Sequence, residues 1–362
     1  MFNKEIQQQQ REIIQTEAER LSKEHKHLLL TWATGCGKGR AVMRCIQADD
    51  SDKQWLVICP ETIQVENFKV GLEEHGFAHL LNTKIKDVIC YASFDKYIGG
   101  EYNLALNEVH RLSELKHSIA QTIKFEQIIS DSATVPYEVR ERLYEIQPYH
   151  EYPISLVDAI QRGILPEPTF YIKKIQLNQQ QKKEVSILNN KYNYWRTRFY
   201  ADRKPFFANK MNQARGDAKK LLASYKTHEA RNIINNLAGQ RFVCFTGSVE
   251  QSMELDAENS INSKKTKKIN LQIIEKFNTF DISSLYFNRM GREGMNFNAI
   301  DAGIIIQLDS GNDEGLSFIQ TTGRALRGDD PKLYILCTDA EQDEQYLRRA
   351  LSNVNSNSIV YI

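Results

Sequence analysis

The stretch 31–39 has the sequence Thr31-Trp32-Ala33-Thr34-Gly35-Cys36-Gly37-Lys38-Gly39. It ends the apolar run 27–32, which predicts a buried strand, and it precedes the helix-compatible stretch 40–47. Strand, glycine turn and helix are the context that a phosphate-binding loop requires, because the glycines let backbone N–H groups face phosphates at a helix N-terminus. We therefore predict a nucleotide site here, with Lys38 directed toward the β and γ phosphates. These flanks disfavour the alternative, a structural turn with an incidental lysine.

Short apolar runs alternate with helix-like segments on both sides of a basic middle region. The runs lie at 28–32, 55–59, 87–91, 103–106 and 127–129, and again at 242–245, 284–287, 303–308 and 333–337. Such alternation predicts crossover units and parallel sheets. We expect an α/β chain with two parallel-sheet domains, 1–166 and 237–362, joined by a basic helical connector, 167–236.

Length and composition are those of an ordinary soluble protein. The 362 residues suffice for two cores, and 26% are charged and 41% hydrophobic. No stretch with a basic start and an apolar core opens the sequence, so we expect no secretory leader, and no apolar run approaches the roughly 20 residues of a membrane helix. We expect a cytoplasmic protein without a membrane segment. The six cysteines form no CxxC pair and are expected to be reduced core residues.

The net charge of +1 hides a strong asymmetry. Residues 169–236 contain fifteen Lys or Arg and four Asp or Glu, a net charge of +11, which leaves −10 for the remainder. A basic region between acidic lobes is typical of a polyanion-binding surface. Aromatic residues are interleaved there, and stacking on bases is one use for them. Three of these aromatics continue an apolar series with spacings of three and four residues, which favours instead the buried stripe of a helix. The series is Val185, Leu188, Tyr192, Trp195 and Phe199.

Four further motifs suggest chemistry at the loop. The strand 103–106 is followed by Asn107-Glu108-Val109-His110, where Glu108 can polarise a water that attacks phosphate. Ser132-Ala133-Thr134 follows the run 127–129 and offers hydroxyls for coupling. The segments 291–296 and 320–327 precede later strands, and Arg324 and Arg327 lie three apart, on one face if that segment is helical, where they can act as arginine fingers. Any one of these motifs could be a structural turn or a pair of surface arginines, but the order of all the motifs along the chain is hard to obtain by chance.

In this order of motifs the chain resembles superfamily 2 helicases of the DEAD/DEAH-box kind over nearly its whole length. Its compact plan looks most like phage-encoded DNA helicases. By this resemblance, motifs I, Ia, Ib, II, III, IV, V and VI lie at or near 33–38, 59–62, 91–93, 107–110, 132–134, 245–248, 291–296 and 320–327. The resemblance implies two RecA-like domains and ATP hydrolysis at the cleft between them, with Mg²⁺.

The resemblance also implies roles for individual residues. The catalytic set is Lys38, Glu108, Gln320, Arg324 and Arg327. The nucleotide-binding set is Gln10, Thr34, Gly35, Cys36, Gly37, Lys38, Gly39, Gly294 and Asn296, with the register of Gln10 left open by its neighbours Gln7, Gln8 and Gln9. The metal positions are Asn107 and Glu108, and the coupling residues are His110, Ser132 and Thr134.

Two departures from the family pattern concern the metal. Gly39 stands where the family has a Ser or Thr that ligates Mg²⁺, and Asn107 stands where it has an Asp that holds the same ion through water. An amide keeps an oxygen but loses the charge that attracts a hard cation. Hydrolysis is therefore expected to be slow, unusual or absent, unless Asn107 was introduced to trap a bound state. A return to Asp at 107 and Ser at 39 is expected to raise turnover.

Two functions follow from these observations. The first is an ATP-dependent helicase or translocase, favoured by the presence of Glu108, Arg324 and Arg327. The second is a hydrolysis-impaired nucleic-acid-binding or structural protein derived from such a motor. The expected partner is nucleic acid, DNA ahead of RNA. We expect a monomer, or transient complexes with replication, recombination or transcription proteins, in the host cytoplasm if the protein is phage-encoded.

Overall fold

The structure is a computed structural model that describes residues 2–288, 297, 299–308, 330–352 and 354–362. The chain divides into two compact units, with the sequence boundary between Pro166 and Glu167. Among the described residues, no helix is both long and apolar enough to cross a membrane. All six cysteines are free, and five of them are buried.

The first unit is a parallel sheet with helices on both faces. Its strands are β1 (His27–Trp32), β2 (Trp55–Cys59), β3 (Ile85–Cys90), β4 (Asn103–Leu106), β5 (Ile128–Ser132) and β6 (His150–Ile154). Its helices are α1 (Lys4–Glu24), α2 (Lys38–Ala48), α3 (Thr62–Glu74), α4 (Glu114–Thr122), α5 (Tyr137–Ile146) and α6 (Leu156–Gln161). Short 3₁₀ turns lie at Ala78–Asn82, Tyr91–Tyr97 and Val109–Arg111. The strand order is β3-β2-β4-β5-β1-β6, so β1 is an interior strand next to the edge strand β6.

Different helices bury the two faces of this sheet. Successive side chains of a strand point to opposite faces. Accordingly, Leu28, Leu30 and Trp32 of β1 lie in one buried cluster, together with residues of α1, α2, α3 and α6. Leu29 lies in the other cluster, with residues of α4 and α5. Because both faces are covered, interior strands such as β2 are continuous apolar runs, and the carboxyl ends of all six parallel strands lie at one edge of the sheet.

The first strand carries a buried histidine that makes the stability of this unit pH-dependent. His27 is 1% exposed; its Nδ1 lies 2.9 Å from the Gln147 carbonyl oxygen and its Nε2 2.8 Å from Ser130 Oγ. Burial lowers the pKa of His27 to about 4, and the hydrogen bond to Gln147 only partly opposes this. The unfolded chain therefore binds a proton near pH 6.5 that the folded unit binds only near pH 4.

Stability is expected to fall as the pH drops from 6.5 to 4, by about 3 kcal/mol from this group. In a Trp195→Phe background the remaining tryptophans, Trp32 and Trp55, both report the first unit. Urea unfolding followed by their fluorescence at several pH values measures the slope of the unfolding free energy against pH. In His27→Gln this slope should decrease by the amount that corresponds to about one bound proton. An unchanged slope in that variant would assign the pH dependence to other groups.

The second unit is another parallel sheet, with a long helical hairpin inserted between its first and second strands. Its strands are β7 (Thr169–Ile175), β8 (Phe242–Phe245), β9 (Ser260–Ile261), β10 (Ser284–Phe287), β11 (Ala302–Ile305), β12 (Lys332–Thr338) and β13 (Ile359–Tyr361). Its described helices are α7 (Gln179–Asp202), α8 (Pro205–Tyr225), α9 (Thr227–Asn236), α10 (Val249–Leu255), α11 (Lys267–Asn278) and α12 (Glu341–Ala350), with a 3₁₀ turn at Ser356–Ser358. The order of the described strands is β13-β7-β12-β11-β8-β10-β9.

The predicted fold class is confirmed, since both sheets are parallel and each belongs to its own unit. The region 167–236, expected to be a helical connector, begins with β7, which pairs with β12 and β13 inside the second sheet. Alternate residues of β7 are buried, such as Phe170 and Ile172. The helical part of this region is therefore α7, α8 and α9.

A buried ion pair anchors the start of α9 to the second sheet. Lys226 Nζ lies 2.6 Å from Asp343 Oδ2 and 2.9 Å from Gln307 Oε1, and both charged residues are at most 2% exposed. Gln307 and Thr338 also donate to Asp343. Lys226 and these hydrogen bonds outweigh the effect of burial and lower the pKa of Asp343. The network is satisfied, as a buried charge requires.

Candidate active site

The loop 33–37 leaves the carboxyl end of β1, which lies between β5 and β6. Gly35 and Gly37 have φ angles of 96° and 88°, in the left-handed region that glycine occupies without a Cβ clash. Gly37 is the N-cap of α2 and Lys38 its first residue. The backbone N–H groups of this first turn, together with the helix dipole, are the groups with which a helix N-terminus can bind an anion.

Side chains of helix α1 donate hydrogen bonds to two carbonyl oxygens of this loop. Arg11 Nη2 donates to the carbonyl oxygen of Gly35 at 2.8 Å, and Gln15 Nε2 donates to that of Gly37 at 3.5 Å. A Cβ added at Gly37 would lie 2.7 Å from Gln15 Nε2. Because these contacts engage loop carbonyls, they help to keep the loop N–H groups directed away from α1. Sequence reasoning missed both residues, although their spacing of four with Gln7 marks one face of α1.

The remaining loop residues differ in what surrounds them. Lys38 Nζ donates to the Trp32 carbonyl oxygen at 3.0 Å, which holds the ammonium beside the end of β1. A Cβ added at Gly39 would meet no described atom within 4 Å, so a serine fits there. Burial raises the pKa of the Cys36 thiol to about 11, so this cysteine is a protonated packing residue at neutral pH. Thr34 is half-buried.

An amide and a carboxylate are paired at the ends of the adjacent strands β4 and β5. Asn107 follows β4, and its Nδ2 donates to Oδ2 of Asp131 at 3.1 Å. Asp131 is 2% exposed and lies in register with Leu30 of β1. Asp131 was not predicted from the sequence, because it lies beyond the apolar run 127–129, between Ser130 and Ser132. Its only local signal was a charged residue directly after a predicted strand, one position before Ser132.

The Asp131 carboxylate lies in a region of strong and opposing electrostatic effects. Burial, and next the neighbouring Glu108 carboxylate, raise its pKa to about 7, while Lys38 acts in the opposite direction. A buried carboxylate becomes more stable as an anion when positive charge approaches. Any cation brought in with a nucleotide therefore favours the ionised form of Asp131.

Glu108, His110 and Ser132 form a hydrogen-bonded group beside this pair. Ser132 Oγ lies 3.3 Å from Glu108 Oε2 and 2.9 Å from His110 Nδ1, and it also lies 2.7 Å from the Thr134 carbonyl oxygen. Glu108 has φ 46° and ψ 56°, a left-handed conformation that costs a non-glycine residue about 1–3 kcal/mol and that recurs at functional sites. Thus the structure brings together the predicted catalytic Glu108 and the predicted coupling residues.

The Mg²⁺ ion implied by the resemblance would meet a reduced but compatible set of ligands. Gly39 offers no side-chain oxygen, and because Asn107 Nδ2 donates to Asp131, the Asn107 Oδ1 atom is the one that could ligate the ion. Among the described residues, no group of three His, Cys, Asp or Glu could enclose a metal ion. Mg²⁺ needs no such cage, because it is commonly held by one or two protein oxygens, waters and the phosphates of its nucleotide. Asn107 and Glu108 fit that arrangement.

The remaining predicted residues lie on α1, in the second unit or outside the described part of the chain. Gln10 lies half-buried on α1, whereas its neighbour Gln7 donates to the Ile164 carbonyl oxygen at 2.8 Å. In the second unit, the predicted motif 245–248 joins β8 to α10, and Ser248 caps that helix. The residues that lie outside the described part of the chain are Gly294, Asn296, Gln320, Arg324 and Arg327.

Comparisons by sequence give no match. No protein-family model matches the chain, and no curated protein matches it.

Solved structures do match. Saccharomyces cerevisiae Dbp5 bound to RNA and ADP BeF3 matches with a TM-score of 0.64 at 10% identity, over 96% of this chain and 89% of that one. A variant of Dbp5 with the same ligands gives a TM-score of 0.66 at the same identity and coverage. The Pyrococcus furiosus Hef helicase domain gives 0.55 at 13% identity, over 93% of this chain and 96% of that one. The chain therefore shares the fold of these helicase structures, because its two α/β domains match tandem RecA-like domains.

Proposed function

We propose that this protein is an ATP-dependent nucleic-acid helicase or translocase. The observation that carries the proposal is the convergence of Lys38, Glu108 and Asp131 at the carboxyl ends of three neighbouring parallel strands, β1, β4 and β5. Ligands of open α/β sheets bind at this edge. In this proposal the Lys38 ammonium binds phosphates. Glu108 lies where it would contact the attacking water, and Asp131 lies beside Asn107 at the metal position.

In this proposal the loop 33–37 and Lys38 bind the phosphates of ATP through backbone N–H groups and the ammonium. Water attacks the γ-phosphorus, Glu108 accepts its proton, and the bond to ADP breaks. Ser132 and His110 hold the Glu108 carboxylate in position. A bound Mg²⁺ would neutralise charge on the phosphates. We retain Gln320, Arg324 and Arg327 as predicted partners of the phosphates by resemblance.

We propose nucleic acid as the track of this motor. The similar structure of Dbp5 contains RNA and ADP BeF3, which supports both ligands as candidates. DNA remains our first choice because the compact plan resembles phage DNA helicases, and RNA is the second. The net charge of +11 over residues 169–236 supports a polyanion of either kind.

A second candidate is a protein that binds nucleotide and nucleic acid but hydrolyses ATP poorly. Two observations favour it. Gly39 supplies no hydroxyl although a serine would fit, and the Asn107 amide is already engaged with Asp131. Charge neutralisation by the metal is a large part of phosphoryl transfer, so a weakened metal position lowers turnover while phosphate binding by the loop persists.

Steady-state ATP hydrolysis with Mg²⁺ distinguishes the two candidates. The pure protein is assayed alone and with single-stranded DNA, duplex DNA or RNA at low salt, where phosphate contacts are strongest. Stimulation by one of these polymers supports the motor and identifies its track. Binding of a fluorescent ATP analogue without turnover supports the second candidate. The Lys38→Ala variant, prepared identically, reports contaminating activity, and a rate equal to wild type would refute the proposed site.

A further inference from the structure

The hairpin formed by α7 and α8 is the most positively charged element of the second unit. Residues 179–225 contain eleven Lys or Arg and three Asp or Glu, a net charge of +8. Its base is packed on the unit through Leu177, Val185 and Leu222, and Lys182 Nζ lies 2.6 Å from Asp339 Oδ2. The basic hairpin is thus a fixed part of the second unit, and its charge has a defined position.

A groove lies within the second unit, between this hairpin and α12. It has a volume of about 610 Å³. Its described lining residues include Arg196 and Arg215 from the hairpin, Arg349 from α12, and one acidic residue, Glu341. The lining therefore carries a net charge of +2. Asparagine and glutamine side chains make up much of the remaining wall, so the groove is polar as well as basic.

Aromatic rings accompany the arginines in this groove. Tyr200 is 55% exposed, and the Arg196 guanidinium lies 5.8 Å from its ring centroid. Tyr346 lines the opposite wall and is 8% exposed. The spacing of the α7 aromatics predicted a buried stripe. Val185 is indeed buried, while Tyr192, Trp195 and Phe199 are only half-buried and Tyr200, outside the stripe, is exposed.

We propose that this groove binds a single nucleic-acid strand. Arginine forks bind phosphate oxygens in bidentate fashion. An exposed tyrosine offers a stacking surface for any base, and amide side chains donate to and accept from base edges and sugars. The charge of the hairpin extends beyond the groove, which suits an extended backbone more than a free nucleotide. The inference deepens the proposed function, because it rests on a nucleic-acid partner and locates a binding surface outside the predicted motifs.

The test uses the full chain and fluorescein-labelled 20-mers of oligo-dT and oligo-U in fluorescence anisotropy titrations across a salt series. The R196Q/R215Q/R349Q variant is expected to bind at least about 30-fold more weakly at 100 mM salt, with the slope of log K against log salt reduced by about two. The matched control is K267Q/K268Q/K276Q, which removes three exposed charges from α11 of the same unit. It should change affinity by less than about threefold.

A second variant separates stacking from charge and from folding. Tyr200→Ala should weaken binding about tenfold, while Tyr200→Phe, which keeps the ring, should bind as wild type does. Binding of a fluorescent ATP analogue should be unchanged in all variants. If wild type binds a strand and the triple arginine variant binds it equally well, the groove proposal fails and the proposed function stands. If wild type hydrolyses ATP but binds neither 20-mer, both the groove and the nucleic-acid track are refuted.

Discussion

The Glu108→Gln variant is expected to hydrolyse ATP at least about 100-fold more slowly than wild type, with nucleotide affinity changed by less than about threefold. The amide preserves the shape of the side chain and can still contact Ser132 Oγ, which lies 3.3 Å from Glu108 Oε2. It cannot accept the proton of the attacking water. The single-turnover rate with saturating ATP, together with equilibrium binding of a fluorescent ATP analogue, separates the chemical step from binding.

The matched control for this experiment is Glu138→Gln. Glu138 is an exposed residue in the first turn of α5, so its substitution removes one carboxylate from the same unit away from the site. The control should hydrolyse ATP at the wild-type rate. A Glu108→Gln rate within a few-fold of wild type would remove Glu108 from the proposed mechanism, and a parallel loss of nucleotide affinity would assign it to binding.

The fold was largely predictable because its signals are local. Buried interior strands such as β1, β2, β4, β8 and β10 are short apolar runs, and their predicted bounds agree with the observed ones within one residue. The strands that were missed lie at or near the sheet edges. β6 is partly exposed and contains Pro153, and β7 carries Lys173 and Lys174, so neither is a continuous apolar run. Their pairing depends on distant parts of the chain, which no local pattern reports.

The candidate site was predictable where its residues are contiguous. The loop 33–39 has a local signature, and Glu108 and Ser132 each follow a predicted strand. Arg11 and Asp131 act across distances of about 24 residues in sequence, through contacts with Gly35 and Asn107. A single sequence carries no sign of those pairings, because a buried acid or a helical arginine is informative only once its partner is known.

The pairing of Asn107 with Asp131 changes the expected effect of restoring an aspartate at position 107. In Asn107→Asp the new carboxylate would face Asp131 at the 3.1 Å contact. A half-buried carboxylate at 107 and the buried Asp131 carboxylate repel at this distance, which favours protonation of one of them. We therefore expect Asn107→Asp alone to destabilise the first unit at pH 8 and to restore little turnover, because the metal position then carries a proton or an unstable pair of charges.

The exchanged variant N107D/D131N should recover the stability of the first unit that Asn107→Asp alone loses. It keeps one carboxylate and one amide in contact, with the charge moved to the strand end where the family has it. We expect a coupling free energy of about 2 kcal/mol in urea unfolding at pH 8, measured from the two single variants and the double variant. The Mg²⁺ dependence of nucleotide affinity should be weakest in Asp131→Asn, because that variant lacks the charge at both positions, and should return in the exchanged variant.

The control for this cycle pairs Asp131→Asn with Asn82→Asp, an equivalent exchange at an exposed residue that ends a 3₁₀ turn. Those two substitutions should be additive within about 0.5 kcal/mol. If N107D/D131N is also additive, Asn107 and Asp131 act independently, and their pairing does not explain the weakened metal position. Gly39→Ser tests the contribution of Gly39 directly, since the hydroxyl has room and its effect on Mg²⁺-dependent nucleotide affinity needs no change at the strand ends.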